Sequence, residues 1–269
     1  MGKVLMPTVP IVADARVALA ALTEYVTPSD HLDWLATISR WREVAERAAA
    51  VENADAAKSA QSELPEPRGI LAAIRRATHT QALLVTDVGQ HQMWAARFYG
   101  FDRPNGHLTS GGLGTMGFAL PAALGAALGR RDEPIWVVAG DGGFQMNIQE
   151  LATLADLNLP IKVAILNNGY LGMVRQWQEF FHQRNYSETR ISSPDYVKLA
   201  EAYRIAGFRV TRAREVQQTV ERAQEVEGPA IVEFVIEREA NVFPMVAPGK
   251  ANFEMIERAP RAGGAHGER

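Results

Sequence analysis

The stretch that decides the fold is residues 135–168, IWVVAGDGGFQMNIQELATLADLNLPIKVAILNN. It contains two short and almost wholly apolar runs, Ile135 to Ala139 and Ile161 to Leu166. Such runs are typical of strands in a parallel sheet that is covered on both faces. Between them, apolar residues recur at helical spacing, namely Ile148, Leu151, Ala152 and Ala155. The stretch therefore predicts a strand-helix-strand unit with a right-handed crossover.

A polar side chain follows each of these two predicted strands, Asp141 after the first and Asn168 after the second. Ligands of such sheets bind outside the carboxyl ends of the strands, so we expect the two side chains to lie together. Carboxylate and carboxamide oxygens suit Mg²⁺, which takes its other ligands from phosphates and water. The glycines around Asp141, in the sequence Gly-Asp-Gly-Gly at 140–143, allow backbone to approach a phosphate closely. A single Gly-Asp-Gly is a common turn, and it is the combination that predicts a metal and diphosphate site.

Composition limits the possible classes of protein. The chain has 269 residues, of which 47% are hydrophobic and 22% charged, so it is long enough for one or two globular domains. A net charge of -3 indicates neither nucleic acid nor an anionic membrane as a partner. The absence of cysteine excludes disulfides and thiolate metal sites. We find no membrane span and no signal peptide, and we expect a cytoplasmic protein.

We divide the chain into three parts. They are a mostly helical segment at 1–64, which is the end of a preceding domain or a linker, a cofactor-binding domain at 65–258 and a disordered tail at 259–269. The first part is expected to hold a strand at 9–13 and helices at 15–26 and 31–60. In the second part, we predict helices at 69–78, 115–129, 144–157, 172–181, 194–206 and 215–226. Strands are predicted at 82–86, 135–139, 161–166, 208–210 and 230–236, with Ser193 as a helix cap and Gly207 as a helix stop. This alternation predicts an α/β domain with a doubly wound, mostly parallel sheet.

A dinucleotide-binding motif is a rival interpretation, because residues 112–117 fit G-x-G-x-x-G and Asp132 lies 20 residues after Gly112. That fingerprint must directly follow a strand and place its acid after the second strand. Here polar residues 103–110 precede the glycines, and Asp132 comes before the next predicted strand. We therefore reject this interpretation.

Three further segments, read with the metal motif, resemble the catalytic large subunit of acetolactate synthase (acetohydroxyacid synthase). They are DVGQHQMWAA at 87–96, TSGGLGTMG at 109–117 and NNGYLGMVRQW at 167–177. The likeness runs from about residue 65 to Met255, and residues 1–60 resemble the end of that family's central domain and the linker after it. The chain is therefore similar to the C-terminal part of the enzyme, and the resemblance implies the thiamine-diphosphate-binding fold.

The resemblance implies a role for individual residues. Magnesium would be bound by Asp141, by the side chain of Asn168 and by the backbone carbonyl of Tyr170. Met116 would hold thiamine diphosphate in its bent conformer, while Met173 and Trp177 would line the substrate end, where Trp177 selects the second 2-oxoacid. The cofactor would be contacted by Gly89, Gln90, His91, Gly114, Met116, Gly142, Gly143, Tyr170, Gly172 and Met173.

Some of these residues have simpler interpretations. Met116 is compatible with ordinary core packing, because methionine often fills gaps. Trp177 with Phe180 and Phe181 is compatible with an aromatic stripe at a subunit interface.

The implied reaction decarboxylates pyruvate and joins the remaining two-carbon unit to a second 2-oxoacid. Pyruvate as acceptor gives acetolactate and 2-oxobutyrate gives acetohydroxybutyrate, in the biosynthesis of valine, leucine and isoleucine. The cofactor acts as the electron sink, so the protein need not provide a nucleophile. The family also binds FAD, although most of that site would lie outside this chain, and it pairs with a regulatory small subunit.

One departure from the family affects activity. The family's catalytic glutamate belongs to an N-terminal domain that has no counterpart in this sequence. We expect the isolated chain to bind magnesium and thiamine diphosphate weakly or not at all and to be inactive, so that a homodimer or a complementary chain with the pyrimidine-binding half is needed.

Two alternatives stay open. One is a related thiamine-dependent enzyme, such as glyoxylate carboligase or a 2-oxoacid decarboxylase. The other is a non-catalytic binding or assembly module. The segments at 176–177 and 244–249 favour acetolactate synthase over the related enzymes.

Overall fold

The computed structural model describes residues 5–58 and 63–257. The chain divides into two compact units, Met1–Ser59 and Ala60–Arg269. The tail predicted to be disordered, 259–269, and the last residues of the helix predicted at 31–60 lie outside the described residues. In the described part of the chain, no helix combines the length and apolar character needed to span a bilayer.

The first unit contains two helices, α1 (Ala15–Thr23) and α2 (Leu32–Lys58). Helix α1 begins at Asp14, whose carboxylate accepts hydrogen bonds from the backbone N–H groups of Arg16 and Val17. The strand predicted at 9–13 is wrong, since these residues are irregular and exposed. A strand needs a neighbour to satisfy its N–H and C=O groups, and none of the described residues of this unit forms one.

The second unit is built on a six-stranded sheet in which every neighbouring pair is parallel. Its strands are β1 (Leu83–Thr86), β2 (His107–Thr109), β3 (Ile135–Gly140), β4 (Ile161–Asn167), β5 (Ala206–Val210) and β6 (Ala230–Val235). Their order across the sheet is β2-β1-β3-β4-β6-β5. The prediction of a doubly wound parallel α/β domain is confirmed.

Helices cover both faces of this sheet. They are α3 (Pro67–Ala77), α4 (Gln90–Phe98), α5 (Ala119–Gly129), α6 (Asp141–Gln145), α7 (Leu151–Asp156), α8 (Gly172–Phe181), α9 (Tyr196–Ala202) and α10 (Val216–Glu225). A small antiparallel pair, β7 (Met245–Val246) and β8 (Met255–Ile256), follows the sheet.

Alternate strand residues point to opposite faces and so belong to two separate cores. Leu84 and Trp136 pack with α3 and α10 in one core, whereas Leu83 and Val137 pack with α5, α7 and α9 in the other. All four side chains are buried. The sheet is therefore covered on both faces.

Two of the predicted helices differ from the structure. Helix α5 begins at Ala119 and not at 115, because Gly117 has φ +87°, outside the helical region. The helix predicted at 144–157 is interrupted after α6 and resumes, through a 3-10 turn at Ile148–Glu150, as α7. The break lies at Asn147, with φ -135°, whose side-chain amide donates to the carbonyl of Gly117 at 2.8 Å.

Two predicted helix boundaries are wrong. The cap of α9 is Asp195, which accepts from the N–H groups of Val197 and Lys198, and not Ser193. Gly207 does not stop that helix but lies inside β5, where a Cβ atom would stand 3.2 Å from the carbonyl oxygen of Val197. Glycine at 207 therefore allows α9 to lie close against the sheet.

Helix α4 and the short strands β2, β7 and β8 were not predicted. Strand β2 ends at Thr109, so the argument that no strand stands shortly before the glycines at 112–117 was wrong. The dinucleotide interpretation still fails, because the next helix begins only at Ala119.

The strand order places a crevice at one end of the sheet. After β1 the chain passes to β2 on one side, and it then returns to β3 on the other side of β1. Such a switch point leaves a crevice outside the carboxyl ends of β1 and β3.

Candidate functional site

A cavity of about 300 Å³ lies at the carboxyl ends of β1, β3 and β4. Its walls include residues 88–94, 140–143, 168 and 170–174, which lie at or just past the ends of these strands. The loop before α5 adds Gly114 and Met116. Helices α4, α6 and α8 all begin at this cavity, so the positive ends of three helix dipoles meet there. Such an arrangement favours a bound anion.

Asp141 is the first residue of α6 and is almost fully buried, with 1% of its surface exposed. Its Oδ2 accepts hydrogen bonds from the backbone N–H of Gly169 at 3.1 Å and from the hydroxyl of Ser193 at 2.9 Å. Burial raises the pKa of Asp141, while the bonds from Ser193 and Gly169 act in the opposite direction. The carboxylate is thus held against the segment that follows β4.

The two adjacent asparagines at the end of β4, Asn167 and Asn168, turn in different directions. Asn168 is buried, its Nδ2 donates to Oε1 of Gln90 at 3.4 Å, and its Oδ1 accepts from the N–H of Tyr170 at 3.1 Å. Asn167 instead donates from Nδ2 to Oε1 of Glu233 at 2.7 Å. Of the two side chains, only that of Asn168 lines the cavity.

The three predicted metal-binding residues, Asp141, Asn168 and Tyr170, all line the cavity. They offer carboxylate, carboxamide and carbonyl oxygens, which are donors suited to Mg²⁺. Across the described residues, no three His, Cys, Asp or Glu side chains gather in a group that could hold a metal ion. A magnesium ion here would need further oxygens from a ligand, and a diphosphate supplies them.

All ten residues predicted to contact the cofactor line this cavity. Three of the glycines among them are also required by protein neighbours. A Cβ atom at Gly142 would stand 2.7 Å from Cδ2 of Leu171, and one at Gly143 would stand 2.2 Å from Oδ1 of Asp87. At Gly172 it would stand 2.1 Å from Oε1 of Gln90. These glycines allow the cavity walls to pack, in addition to the predicted approach to phosphate.

His91 presents an unpaired polar atom at the cavity. Its ring packs on Gly89 and Gly140, where added Cβ atoms would lie 3.0 and 2.9 Å from ring atoms. Burial lowers the pKa of His91 to about 4, against the opposing effect of Asp87, so the ring is neutral near pH 7. Its Nε2 is buried and has no hydrogen-bond partner among the described residues. A buried polar atom of this kind is suited to a bound ligand.

Sequence reasoning assigned no role to Asp87. Its buried carboxylate accepts from the N–H groups of Val88, Gly117 and Ala119 at 2.9 to 3.0 Å. It thereby fastens the loop that carries Met116 to the end of β1. The available signal was an acid close after a predicted strand, 82–86, similar to the pattern that identified Asp141.

Met116, predicted to hold the cofactor in its bent conformer, and the two residues predicted at the substrate end, Met173 and Trp177, are placed differently from one another. Met116 and Met173 line the cavity, although Met116 lies in a turn before α5 and not on the helix. Trp177 does not line it, since it lies one turn further along α8, is 37% exposed and contacts Phe181 edge to face. Phe180 is buried and stacks on Phe243, so it is not part of an exposed aromatic stripe.

Comparison with known proteins gives a consistent result. Residues 87–234 match the family described as thiamine pyrophosphate enzyme, C-terminal TPP binding domain. The acetolactate synthase large subunit of Corynebacterium glutamicum is 39% identical over 266 residues, which cover 95% of this chain and 41% of that protein. The acetolactate synthase isozyme 2 large subunit of Escherichia coli K12 is 46% identical over 177 residues, 65% of this chain and 32% of that protein. The chain thus spans between about a third and two fifths of these relatives.

Proposed function

The chain belongs to the thiamine pyrophosphate enzymes as a C-terminal TPP-binding domain, and from this premise we propose that it provides the magnesium- and diphosphate-binding half of an acetolactate synthase site. The observation that carries the proposal is the meeting of Asp141, Asn168 and three helix N-termini in one cavity at the switch point of the sheet. The resemblance to acetolactate synthase noted in the sequence is confirmed by the relatives.

The residues fit the group that the family binds. Asp141, Asn168 and the carbonyl of Tyr170 would hold the magnesium ion, and Nε2 of His91 is available to the diphosphate. Thiamine diphosphate, when bound, supplies the electron sink for decarboxylation of a 2-oxoacid. The chain's part is to bind and orient: the helix N-termini stabilise negative charge, and Met116 shapes the wall opposite Gly142.

The reaction proposed is the condensation of pyruvate with pyruvate or 2-oxobutyrate. The chain's relatives, which are acetolactate synthases 39–46% identical to it, support this reaction. A complementary chain carrying the pyrimidine-binding half would complete the site. Binding of FAD or of a regulatory small subunit, the selection of the acceptor by Trp177 and a cytoplasmic location stay predictions.

Acetolactate formation from pyruvate tests the proposal. The chain is assayed alone and mixed with a chain that carries the pyrimidine-binding half, with Mg²⁺ and thiamine diphosphate present. We expect turnover only in the mixture. Asp141→Ala should reduce it by about 100-fold or more, because a ligand of the metal is lost. The control is Asp156→Asn, at the exposed end of α7, which should keep full activity. Equal turnover of Asp141→Ala and the unchanged chain would contradict the proposal.

The same mixture separates the alternatives. A glyoxylate carboligase would turn over glyoxylate faster than pyruvate. A decarboxylase would release aldehyde without forming a carbon-carbon bond. An assembly module would produce no turnover with any 2-oxoacid although the two chains form a complex.

A further inference from the structure

A chain of three side-chain amides connects the cavity to the segment after β6. It runs from the backbone of Val242 through Gln176 and Gln90 to Asn168, and we call it the amide relay. Gln176 is fully buried and does not line the cavity, while Gln90 is 3% exposed and does. Each amide has a donor end and an acceptor end, so the relay transmits orientation from one member to the next.

The first member is oriented by backbone, where donor and acceptor are unambiguous. Nε2 of Gln176 donates to the carbonyl of Val242 at 2.9 Å, and Oε1 of Gln176 accepts from the N–H of Val242 at 2.8 Å. Reversing this carboxamide would place donor against donor and acceptor against acceptor. The oxygen of Gln176 is therefore the end that faces Gln90.

The second and third members follow from the first. Gln90 must offer its nitrogen to Oε1 of Gln176 at 2.8 Å, and that same nitrogen also donates to the carbonyl of Ala240 at 2.8 Å. Both of its N–H groups are then used, and its oxygen faces Nδ2 of Asn168 at 3.4 Å. Asn168 must turn its Oδ1 the other way, where the oxygen accepts from the N–H of Tyr170.

The absence of a side chain at Gly172 is an independent indication that the amide relay needs the space beside this residue. A Cβ atom there would lie 2.1 Å from Oε1 of Gln90 and 2.9 Å from Nδ2 of Asn168. The hydrogen bond between Gln90 and Asn168 therefore lies directly against the backbone of Gly172. Any larger residue at 172 would push the two side chains apart.

We propose that Gln176 is a positioning residue for the metal site, which acts through Gln90 to present the oxygen of Asn168, and not its nitrogen, to the ion. This inference rests on the proposed function. It also gives the side chain of Gln90 a role different from the predicted diphosphate contact, because its donors are already engaged by the protein. Residues that orient metal ligands in this way typically change metal affinity by 10–100-fold when they are replaced.

The test compares Gln176→Leu with Asn241→Ala. Asn241 accepts from Arg175 at 2.7 Å and donates to Glu179 at 3.0 Å, so its loss loosens the same segment without breaking the relay. Binding of Mn²⁺ is measured by electron paramagnetic resonance with excess thiamine diphosphate and the complementary chain. We expect Gln176→Leu to weaken Mn²⁺ binding by about 10-fold or more, and Asn241→Ala by less than about 3-fold. Equal effects of the two substitutions would overturn the proposal.

A second measurement needs no metal. In the ligand-free chain, the side-chain NH₂ resonances of Asn168 should lose protection from water exchange in Gln176→Leu and keep it in Asn241→Ala. Thermal melting of both variants identifies any general unfolding. Unchanged Asn168 resonances in a folded Gln176→Leu chain would show that the relay does not orient this residue.

Combining Gln176→Leu with Asn168→Asp separates the loss of side-chain orientation at residue 168 from any other effect of Gln176→Leu on Mn²⁺ binding. A carboxylate has two equivalent oxygens and therefore no orientation to lose. In this background, Gln176→Leu should change Mn²⁺ affinity by less than about 3-fold. A full 10-fold loss there would overturn the proposal. Failure of the proposed function is distinguishable, because Asp141→Ala would then leave Mn²⁺ binding unchanged whatever the result at Gln176.

Discussion

At the scale of single residues, the site depends on glycines, whose missing side chains leave room for neighbouring groups. Gly143 leaves no room for a Cβ atom, since that atom would lie 2.2 Å from the carboxylate of Asp87. The same carboxylate holds the backbone of Gly117 and Ala119. A change at Gly143 would therefore disturb both the cavity wall and the loop that carries Met116.

We predict that Gly143→Ala lowers the free energy of unfolding by about 1–3 kcal/mol, the usual cost of overpacking. The matched control is Gly125→Ala inside α5, where a Cβ atom meets nothing within 4 Å. That change should stabilise the chain by about 0.5–1 kcal/mol, because alanine is the better helix former. Urea unfolding of the three proteins measures both effects. A Gly143→Ala chain as stable as the unchanged one would contradict the packing described here.

Sequence reasoning found the residues that follow strands and missed those that support them. Asp141 and Asn168 each lie two residues past the end of an apolar run, so the sheet geometry itself predicted their place at one edge. Ser193 was read as a helix cap, but its hydroxyl donates to Asp141 from 52 residues away. Contacts of this range depend on tertiary packing and have no local pattern.

At the scale of elements, the long apolar strands were predicted and the short ones were not. Strand β2 has three residues, all only partly buried, and so shows neither an apolar run nor an alternation. Helix α4 was read only as a sequence motif, although Trp94 and Ala95 are buried on one of its faces. The break between α6 and α7 also has a tertiary cause, the bond from Asn147 to Gly117.

Strand β4 carries an unusual buried lysine. Lys162 is 2% exposed, and its Nζ donates to the carbonyls of Val226 and Gly228, each at 2.5 Å. These bonds fasten the loop between α10 and β6 to the amino end of β4. Burial lowers the pKa of Lys162 to about 8, since the charged form is poorly solvated there.

This lysine predicts a pH dependence of stability. Between about pH 8 and the normal value near 10.5, the unfolded chain binds a proton at Lys162 that the folded chain has released. Stability therefore rises with pH across this window, by at most about 3 kcal/mol. In Lys162→Met the rise should vanish, whereas it should persist in Lys198→Met, a change on the exposed face of α9. Urea unfolding at several pH values measures it, and a rise retained in Lys162→Met would contradict the assignment.

At the scale of the whole molecule, the sequence predicted the class of fold but not the strand order. The order β2-β1-β3-β4-β6-β5 depends on which side of β1 each crossover returns to. That choice is made by packing between distant segments, which no local pattern records. The order nevertheless decides where the site lies, because it creates the switch point at β1 and β3 that holds the cavity.

The proposed function requires this cavity to bind a divalent ion and a diphosphate together. The most direct measurement is anomalous diffraction from crystals grown with Mn²⁺ and thiamine diphosphate, together with the complementary chain. We predict one Mn²⁺ peak about 2.0–2.3 Å from an oxygen of Asp141 and from Oδ1 of Asn168, with diphosphate density on its other side. A peak bound by other residues, or diphosphate density elsewhere on the chain, would contradict the account.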